Sequence, residues 1–299
     1  MRVGVIGLGS MGMGAALNLV RAGHDVIGCE LREAGRVELQ QAGGIAVDSA
    51  AKLPDGLEAL VVFVVNAAQA NDVLFGDAGC LAHLAPGAVV LCCTTVAPEA
   101  ARTLDAKLQK AGLLMLDAPV SGGAVGARAG TMTVMASGSE AAFAKAQPVL
   151  DAMASKVWRL GDAAGVGSTV KMVNQLLAGV HIATAAEAMA LGIRAGADPQ
   201  TLFDVISTSA GSSWMFQNRV PHILAGDDTP LSSVNIFVKD LGIVLDQARA
   251  LTFPLPMASA AHQLFLAAAA AGHGGRDDAF VIRFWEQLAG IALPKPDQS

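Results

Sequence analysis

No block of basic residues occurs anywhere in this 299-residue chain, whose net charge is −6. Nucleic acid and anionic membrane surfaces are therefore not its expected partners. No apolar run approaches the roughly 20 residues of a membrane-spanning helix, LFLAAAAA at 264–271 falling short. The first strand is expected to start at the second residue, so no signal peptide is expected. The four cysteines, Cys29, Cys80, Cys92 and Cys93, show neither metal-ligand spacing nor a disulfide framework, and the six histidines form no HxxxH or HExxH pair. Vicinal Cys92–Cys93 reads as part of a buried strand. The expectation is a cytoplasmic protein without a metal. With 53% hydrophobic and only 15% charged residues, the chain is not disordered and is long enough for about two domains.

What is present begins at the first residue. Arg2–Ile6 reads as a buried strand running into Gly7-Leu8-Gly9-Ser10-Met11-Gly12, and Ser10–Ala22 has helical spacing of apolar residues. Glycines placed where a strand turns into a helix permit a tight turn, close approach of a pyrophosphate, and packing of helix on strand. The free N–H groups at the helix start face the phosphates. Asp25–Cys29 reads as the second strand and Glu30 stands at its end, where a carboxylate accepts hydrogen bonds from the adenosine ribose and repels a 2′-phosphate. NAD is favoured over NADP. Arg32, two residues on, is the group that could accommodate a phosphate instead.

Further strands are expected at Ala59–Val65, Ala88–Cys93, Leu113–Leu116, Thr131–Ala136 and Lys156–Leu160, with helices such as Pro98–Ala111 and Ser139–Met153 between. That alternation predicts an α/β domain with a largely parallel sheet and helices on both faces. Ligands bind at the carboxyl ends of such strands, where Asn66, Thr94–Thr95 and Ser121–Gly123 follow. Around Gly161–Gly167 the character changes. One long helix is expected from Ser168 to about Ala197, and helical patterns dominate thereafter. The boundaries are thus 1–163 and 164–299, the second domain all-helical, with Pro294–Ser299 a frayed tail.

The long helix opens GVGSTVKMVNQLLAG. At about 100° per residue, Asn174 falls roughly 60° from Lys171 and Gln175 roughly 40° to the other side. One face thus presents an amine and two amides beside a Gly-rich segment.

GLGSMG, DAPVSGGAVGARAGTMTVMASG (117–138), GVGSTVKMVNQ and FVKDLGIVLDQA (237–248) together resemble the β-hydroxyacid dehydrogenase family, which includes 3-hydroxyisobutyrate dehydrogenases and tartronate semialdehyde reductases. QLLAGVHIATAAEAMAL (175–191) and SSWMFQNRVPHILAGDDTP (212–230) are similar to its L-threonate-oxidising branch. The resemblance implies a Rossmann domain, an all-α domain built on a long connecting helix, a homodimer or homotetramer, and a small hydroxy-acid substrate. Lys171 matches the family's catalytic lysine, taking the substrate hydroxyl proton; burial and the positive nicotinamide ring of NAD⁺ both push a lysine toward the neutral form that this needs. Asn174 would hold the reacting oxygen or the carboxylate. Ser121, Gly122 and Gly123 match a carboxylate cradle. Gly7, Leu8, Gly9, Ser10, Met11, Gly12, Glu30, Asn66 and Thr95 would bind the cofactor, and Lys239 would reach its nicotinamide half. Asp240 reads as structural.

Two positions depart from the pattern. Gln175 replaces the family's usual second Asn, as it does in the threonate branch, whereas Asn174 stands where that branch tends to carry His. Trp214, Met215 and Phe216 read either as a pocket-closing cluster or as core. GGRDDAFVIRFW (274–285) is similar to the family's C-terminal segment. The function expected is NAD-dependent oxidation of a small polyhydroxy acid, L-threonate or a close relative. The alternatives are NADPH-dependent reduction of tartronate or succinic semialdehyde, which Glu30 disfavours, and a non-catalytic dinucleotide sensor, which Lys171 disfavours.

Overall fold

The computed structural model describes residues 1–294, so the expected tail lies, from residue 295 on, outside the described residues. Short apolar runs buried on both faces make the strands of the first half. β1 (Arg2–Ile6), β2 (Asp25–Cys29), β3 (Ile45–Val47), β4 (Leu57–Val62), β5 (Leu84–Cys92) and β6 (Leu114–Asp117) form one sheet in the order β3-β2-β1-β4-β5-β6. All its pairings are parallel, and Val5 lies opposite Gly28 on one side and Val61 on the other. The order reverses between β1 and β4, the switch point at which such sheets bind ligands.

Helices α1 (Ser10–Arg21), α2 (Glu33–Gln41), α3 (Ala67–Phe75) and α4 (Pro98–Lys110) follow β1, β2, β4 and β5, and α5 (Gly123–Ala129) and α6 (Glu140–Met153) come after β6. Because side chains alternate along a strand, Val3 and Val5 join Leu19 of α1 and Phe143 and Leu150 of α6 in one core. Ile6, Leu60 and Val90 join Leu74 of α3 and Leu104 and Leu108 of α4 in the other. Helices on both faces of a parallel sheet are thus found as expected.

Two expectations need correcting. The strands foreseen around 131–136 and 156–160 do not extend the main sheet. β7 (Val120–Ser121), β8 (Met132–Ala136) and β9 (Ala154–Arg159) make a separate three-stranded sheet, β7 antiparallel and β9 parallel to β8. The cause is a turn-back straight after β6, where Asp117 and Ser137 pair as an antiparallel bridge. The glycine-rich stretch beyond Ser121 forms α5, which no apolar period announces. It is held by tertiary contact: Asn18 of α1 donates from Nδ2 to Ala127 O (2.7 Å) and Gly14 O (2.9 Å), and a Cβ at Gly14 would lie 2.4 Å from the Ala127 carbonyl carbon.

The remainder is helical: α7 (Val166–Arg194), α8 (Pro199–Ser207), α9 (Trp214–Ala225), α10 (Val234–Ala250), α11 (Pro256–Ala268) and α12 (Arg283–Ala289). The chain divides into two compact units, Met1–Met172 and Val173–Ser299, the division falling inside α7. Contrary to expectation, α7 is long and apolar enough to cross a membrane by length and composition, with a mean hydropathy of 1.6. Leucine, isoleucine and valine interspersed with alanine supply that value without forming an uninterrupted run. Ile182, Ala186, Met189 and Ala190 are buried, as in a core helix.

Candidate active site

The first group of residues lies at the carboxyl end of the main sheet. Gly7 turns the chain out of β1 at φ +88°, its N–H donating to Cys29 O at 2.9 Å. Side chains have no room at two of the three glycines: a Cβ on Gly7 would meet Phe63 O at 2.6 Å, and one on Gly12 would meet Gly7 O at 1.9 Å. At Gly9 a Cβ would meet nothing within 4 Å, so this position opens onto free space. Leu8 is buried, Met11 half-buried and Ser10 exposed. α1 has no side-chain cap and no acidic residue in its first turn, which leaves its N–H groups and the positive end of its dipole for an external anion. These are the features a dinucleotide pyrophosphate requires.

Glu30 follows β2 with its side chain 10 % exposed. Burial works against its ionisation, but hydrogen bonds from the Arg32 side chain and N–H, the Arg32 charge and the Leu8 N–H outweigh it and hold the carboxyl below its ordinary range. Its Oε1 accepts from Arg32 N at 3.0 Å and Arg32 Nε at 3.1 Å, so Arg32 is engaged by the carboxylate that NAD selection calls for. Asn66 follows β4 and caps α3, its Oδ1 accepting from Gln69 N at 2.9 Å. Thr95, half-buried, follows β5.

Ser121 ends β7, and Gly122 (φ +130°) and Gly123 (φ +63°) carry the chain into α5 through backbone conformations that other residues rarely adopt. A Cβ at Gly123 would meet nothing within 4 Å, so the peptide there is open to a ligand.

Lys171 is buried, 7 % exposed, in the second turn of α7. The first turn is fixed by Asp117, a fully buried carboxylate at the end of β6. Oδ2 accepts from Gly165 N and Ser168 N, both at 2.8 Å, and Oδ1 from Ser168 Oγ at 2.7 Å. Ser137 Oγ takes the Gly167 N–H at 2.9 Å. Burial pushes the Asp117 carboxyl above its ordinary range, and the bonds from Ser168, Gly165 and Ser137 offset part of that rise. The Gly-rich segment is therefore an anchored helix start, a carboxylate of the protein itself occupying the N-terminus. One signal marks Asp117 in the sequence, a lone charge ending an apolar strand.

In the second unit Asn174 Nδ2 donates to Gln175 Oε1 at 3.0 Å, and Gln175 Nε2 donates to Asp240 Oδ2 at 2.6 Å. Lys239 Nζ lies 2.8 Å from Asp240 Oδ1. Asp240 is buried between these partners. Of the aromatic cluster, Phe216 is core, stacked on Phe203 at 5.9 Å, whereas Trp214 is 62 % exposed. Arg219 of α9 pairs with Asp278 at 2.5 Å, Asp278 being fully buried, and neither was foreseen. The cysteines are free and buried, and burial pushes the Cys29 thiol up to about 11 and Cys80 and Cys92 up to about 12, so none is poised to react. An open cleft of about 620 Å³ lined by Leu74, Phe75, Leu84 and Leu113 sits at the amino ends of β5 and β6, away from the glycine turn, and carries none of this chemistry.

Residues 2–161 match the family model for the NAD binding domain of 6-phosphogluconate dehydrogenase. Residues 165–285 match that for the NAD-binding region of NADP-dependent 3-hydroxyisobutyrate dehydrogenase. The chain belongs to the β-hydroxyacid dehydrogenase family. An L-threonate dehydrogenase of Cupriavidus necator is 56% identical over 292 residues, 98% of this chain and 97% of that protein. Another, from Escherichia coli K12, is 53% identical over 98% of this chain and 96% of its own length. The crystal structure of a 3-hydroxyisobutyrate dehydrogenase from Salmonella typhimurium matches with a TM-score of 0.91 at 52% identity, covering 95% of this chain and 99% of that one. This β-hydroxyacid dehydrogenase is accordingly an oxidoreductase that binds a nicotinamide dinucleotide. The glycine turn, the uncapped α1 and the carboxylate of Glu30 at the end of β2 fit that cofactor.

Proposed function

We propose that the protein oxidises a small polyhydroxy acid, L-threonate or a close relative, with NAD⁺, using Lys171 as general base. The observation that carries the reading is a buried lysine one turn beyond an anchored helix start, with the amide of Asn174 one turn further along the same helix. Its resemblance to L-threonate dehydrogenases over nearly its whole length supports the substrate.

Bound NAD⁺ supplies the hydride acceptor. The pyrophosphate would lie over the turn Gly7–Gly12 and the α1 N-terminus, the adenosine ribose against Glu30, with Asn66 and Thr95 completing the cofactor contacts of this unit. Lys171 Nζ takes the proton of the substrate hydroxyl as the alcohol carbon is oxidised. Asp117 acts through Ser168 and Gly165, holding the helix start so that Lys171 keeps one position. Ser121 Oγ and the open peptide at Gly122–Gly123 receive the substrate carboxylate, and Asn174 orients the remaining hydroxyls.

We also infer a homo-oligomer, because α7 leaves Val173, Leu177 and Leu191 exposed (51 %, 49 % and 71 %) along one side. The cytoplasm, as compartment, suits four buried cysteines without a disulfide.

Lys171→Ala tests the mechanism. Turnover of the acid should fall by about 10²–10⁴ while NADH affinity, read by fluorescence titration, stays within about twofold. A variant with full turnover would overturn the base assignment.

A further inference from the structure

We propose that Gln175 and Asp240 fix the hydrogen-bond polarity of Asn174, so that it presents a carbonyl oxygen and selects acids carrying a hydroxyl besides the one oxidised. The inference rests on the proposed contact between Asn174 and substrate.

A side-chain amide has a donor end and an acceptor end of nearly the same shape, and its surroundings decide which way round it sits. Here the decision is made two hydrogen bonds away by a group that only accepts. Asp240, 2 % exposed, has Lys239 Nζ beside Oδ1 as an ion pair, and Gln175 reaches Oδ2. Gln175 must offer its nitrogen to that carboxylate; the reverse orientation would set two oxygens against each other in a buried place, where an unmatched polar contact is costly. Its Oε1 is thereby turned toward Asn174, which must donate. Both hydrogens of Asn174 sit on the nitrogen facing Gln175, which leaves Oδ1 as the acceptor end of the amide.

The consequence is chemical selectivity. A carbonyl oxygen accepts from a hydroxyl and is repelled by a carboxylate, so Asn174 suits a substrate O–H and leaves the carboxylate to Ser121–Gly123. The same chain of bonds gives the departure at position 175 a physical reason: Gln175 on α7 meets Asp240, 65 residues away on α10, while an asparagine would be one methylene shorter. Sites that hydrogen-bond a substrate hydroxyl reject analogues lacking it far more strongly than apolar pockets reject a size change.

The test compares kcat/KM for L-threonate with that for 2,3- and 2,4-dihydroxybutyrate, each lacking one hydroxyl, in the wild type, Gln175→Leu and Asp240→Asn. Gln175→Leu removes both bonds at similar volume. Asp240→Asn keeps the shape but can donate as well as accept, which lets Gln175 turn over. The preference for L-threonate over the analogue missing the recognised hydroxyl should shrink about tenfold in each variant. A merely structural role would lower all three substrates by one common factor. An unchanged preference overturns the proposal, and if Gln175→Leu does not fold, Asp240→Asn alone decides. Asn174→Ala separates the premise from the inference. No effect on any of the three acids refutes the substrate contact itself; lost preference in Asn174→Ala alone, retained in the other two variants, refutes only the polarity argument.

Discussion

The two units hold their polar groups by different means. In the first, backbone does most of the holding: the turn Gly7–Gly12 exists because side chains at Gly7 and Gly12 would strike main-chain oxygens, and the N–H groups of Gly165, Gly167 and Ser168 are gathered around Asp117 and Ser137. In the second, side chains hold one another across long stretches of sequence, Gln175 with Asp240 and Arg219 with Asp278. Backbone requirements are written locally, as glycines at fixed offsets. Side-chain pairs are written in two distant places, neither of which says where the other is.

Glycine substitutions probe the first half of this contrast most severely. Gly12→Ala should abolish cofactor binding, because its Cβ would lie 1.9 Å from Gly7 O, and should lower the melting temperature as well. Gly9→Ala, whose Cβ meets nothing within 4 Å, should leave the melting temperature unchanged and weaken NADH binding by about tenfold by crowding the pyrophosphate. Equal thermal losses in the two variants would break the distinction.

The second half predicts a stability effect with little change in cofactor affinity. Asp278→Asn leaves the Arg219 guanidinium, 9 % exposed, without its buried counter-ion, and should cost about 3–5 kcal/mol in denaturant unfolding. Replacing both partners, Arg219→Met with Asp278→Leu, should recover most of that loss, since apolar packing can substitute for a buried pair. A double variant as unstable as the single one would mean that the pair does more than fill and neutralise its site.

A smaller, pH-dependent effect is expected next door. Burial opposes ionisation of Asp277, but the His222 side chain and the N–H groups of Ala279 and Leu231 hold its carboxyl below the ordinary range. A depressed folded-state pKa gives stability that is present above the ordinary carboxylate range and lost as pH falls through the folded value. Wild type should therefore exceed Asp277→Asn in unfolding free energy at neutral pH and converge with it on acidification. A difference independent of pH would contradict that origin.

The same contrast explains what the sequence made legible. β1 and β2 were readable to the residue, and β4, β5 and the long helix within a few, because buried strands and glycine turns leave local patterns. β3 escaped notice as three half-exposed residues, and α5 was hidden by its glycines, its helicity coming from contact with Gly14 and Asn18. The separate β7–β9 sheet was not visible because periodicity reports that a strand exists, not which strand it joins. Lys171, Asn174 and Glu30 stood out by chemical type and spacing. Asp117 and Asp278 did not, since what makes them matter is the partner each meets 51 and 59 residues away.

The most direct measurement is NADH formation by the purified protein from NAD⁺ with L-threonate, D-threonate, D-erythronate, 3-hydroxyisobutyrate and D-glycerate in parallel. Turnover with L-threonate, well above that of the other acids, is the predicted result. Faster reduction of tartronate or succinic semialdehyde with NADPH than oxidation of any of these acids with NAD⁺ would contradict it.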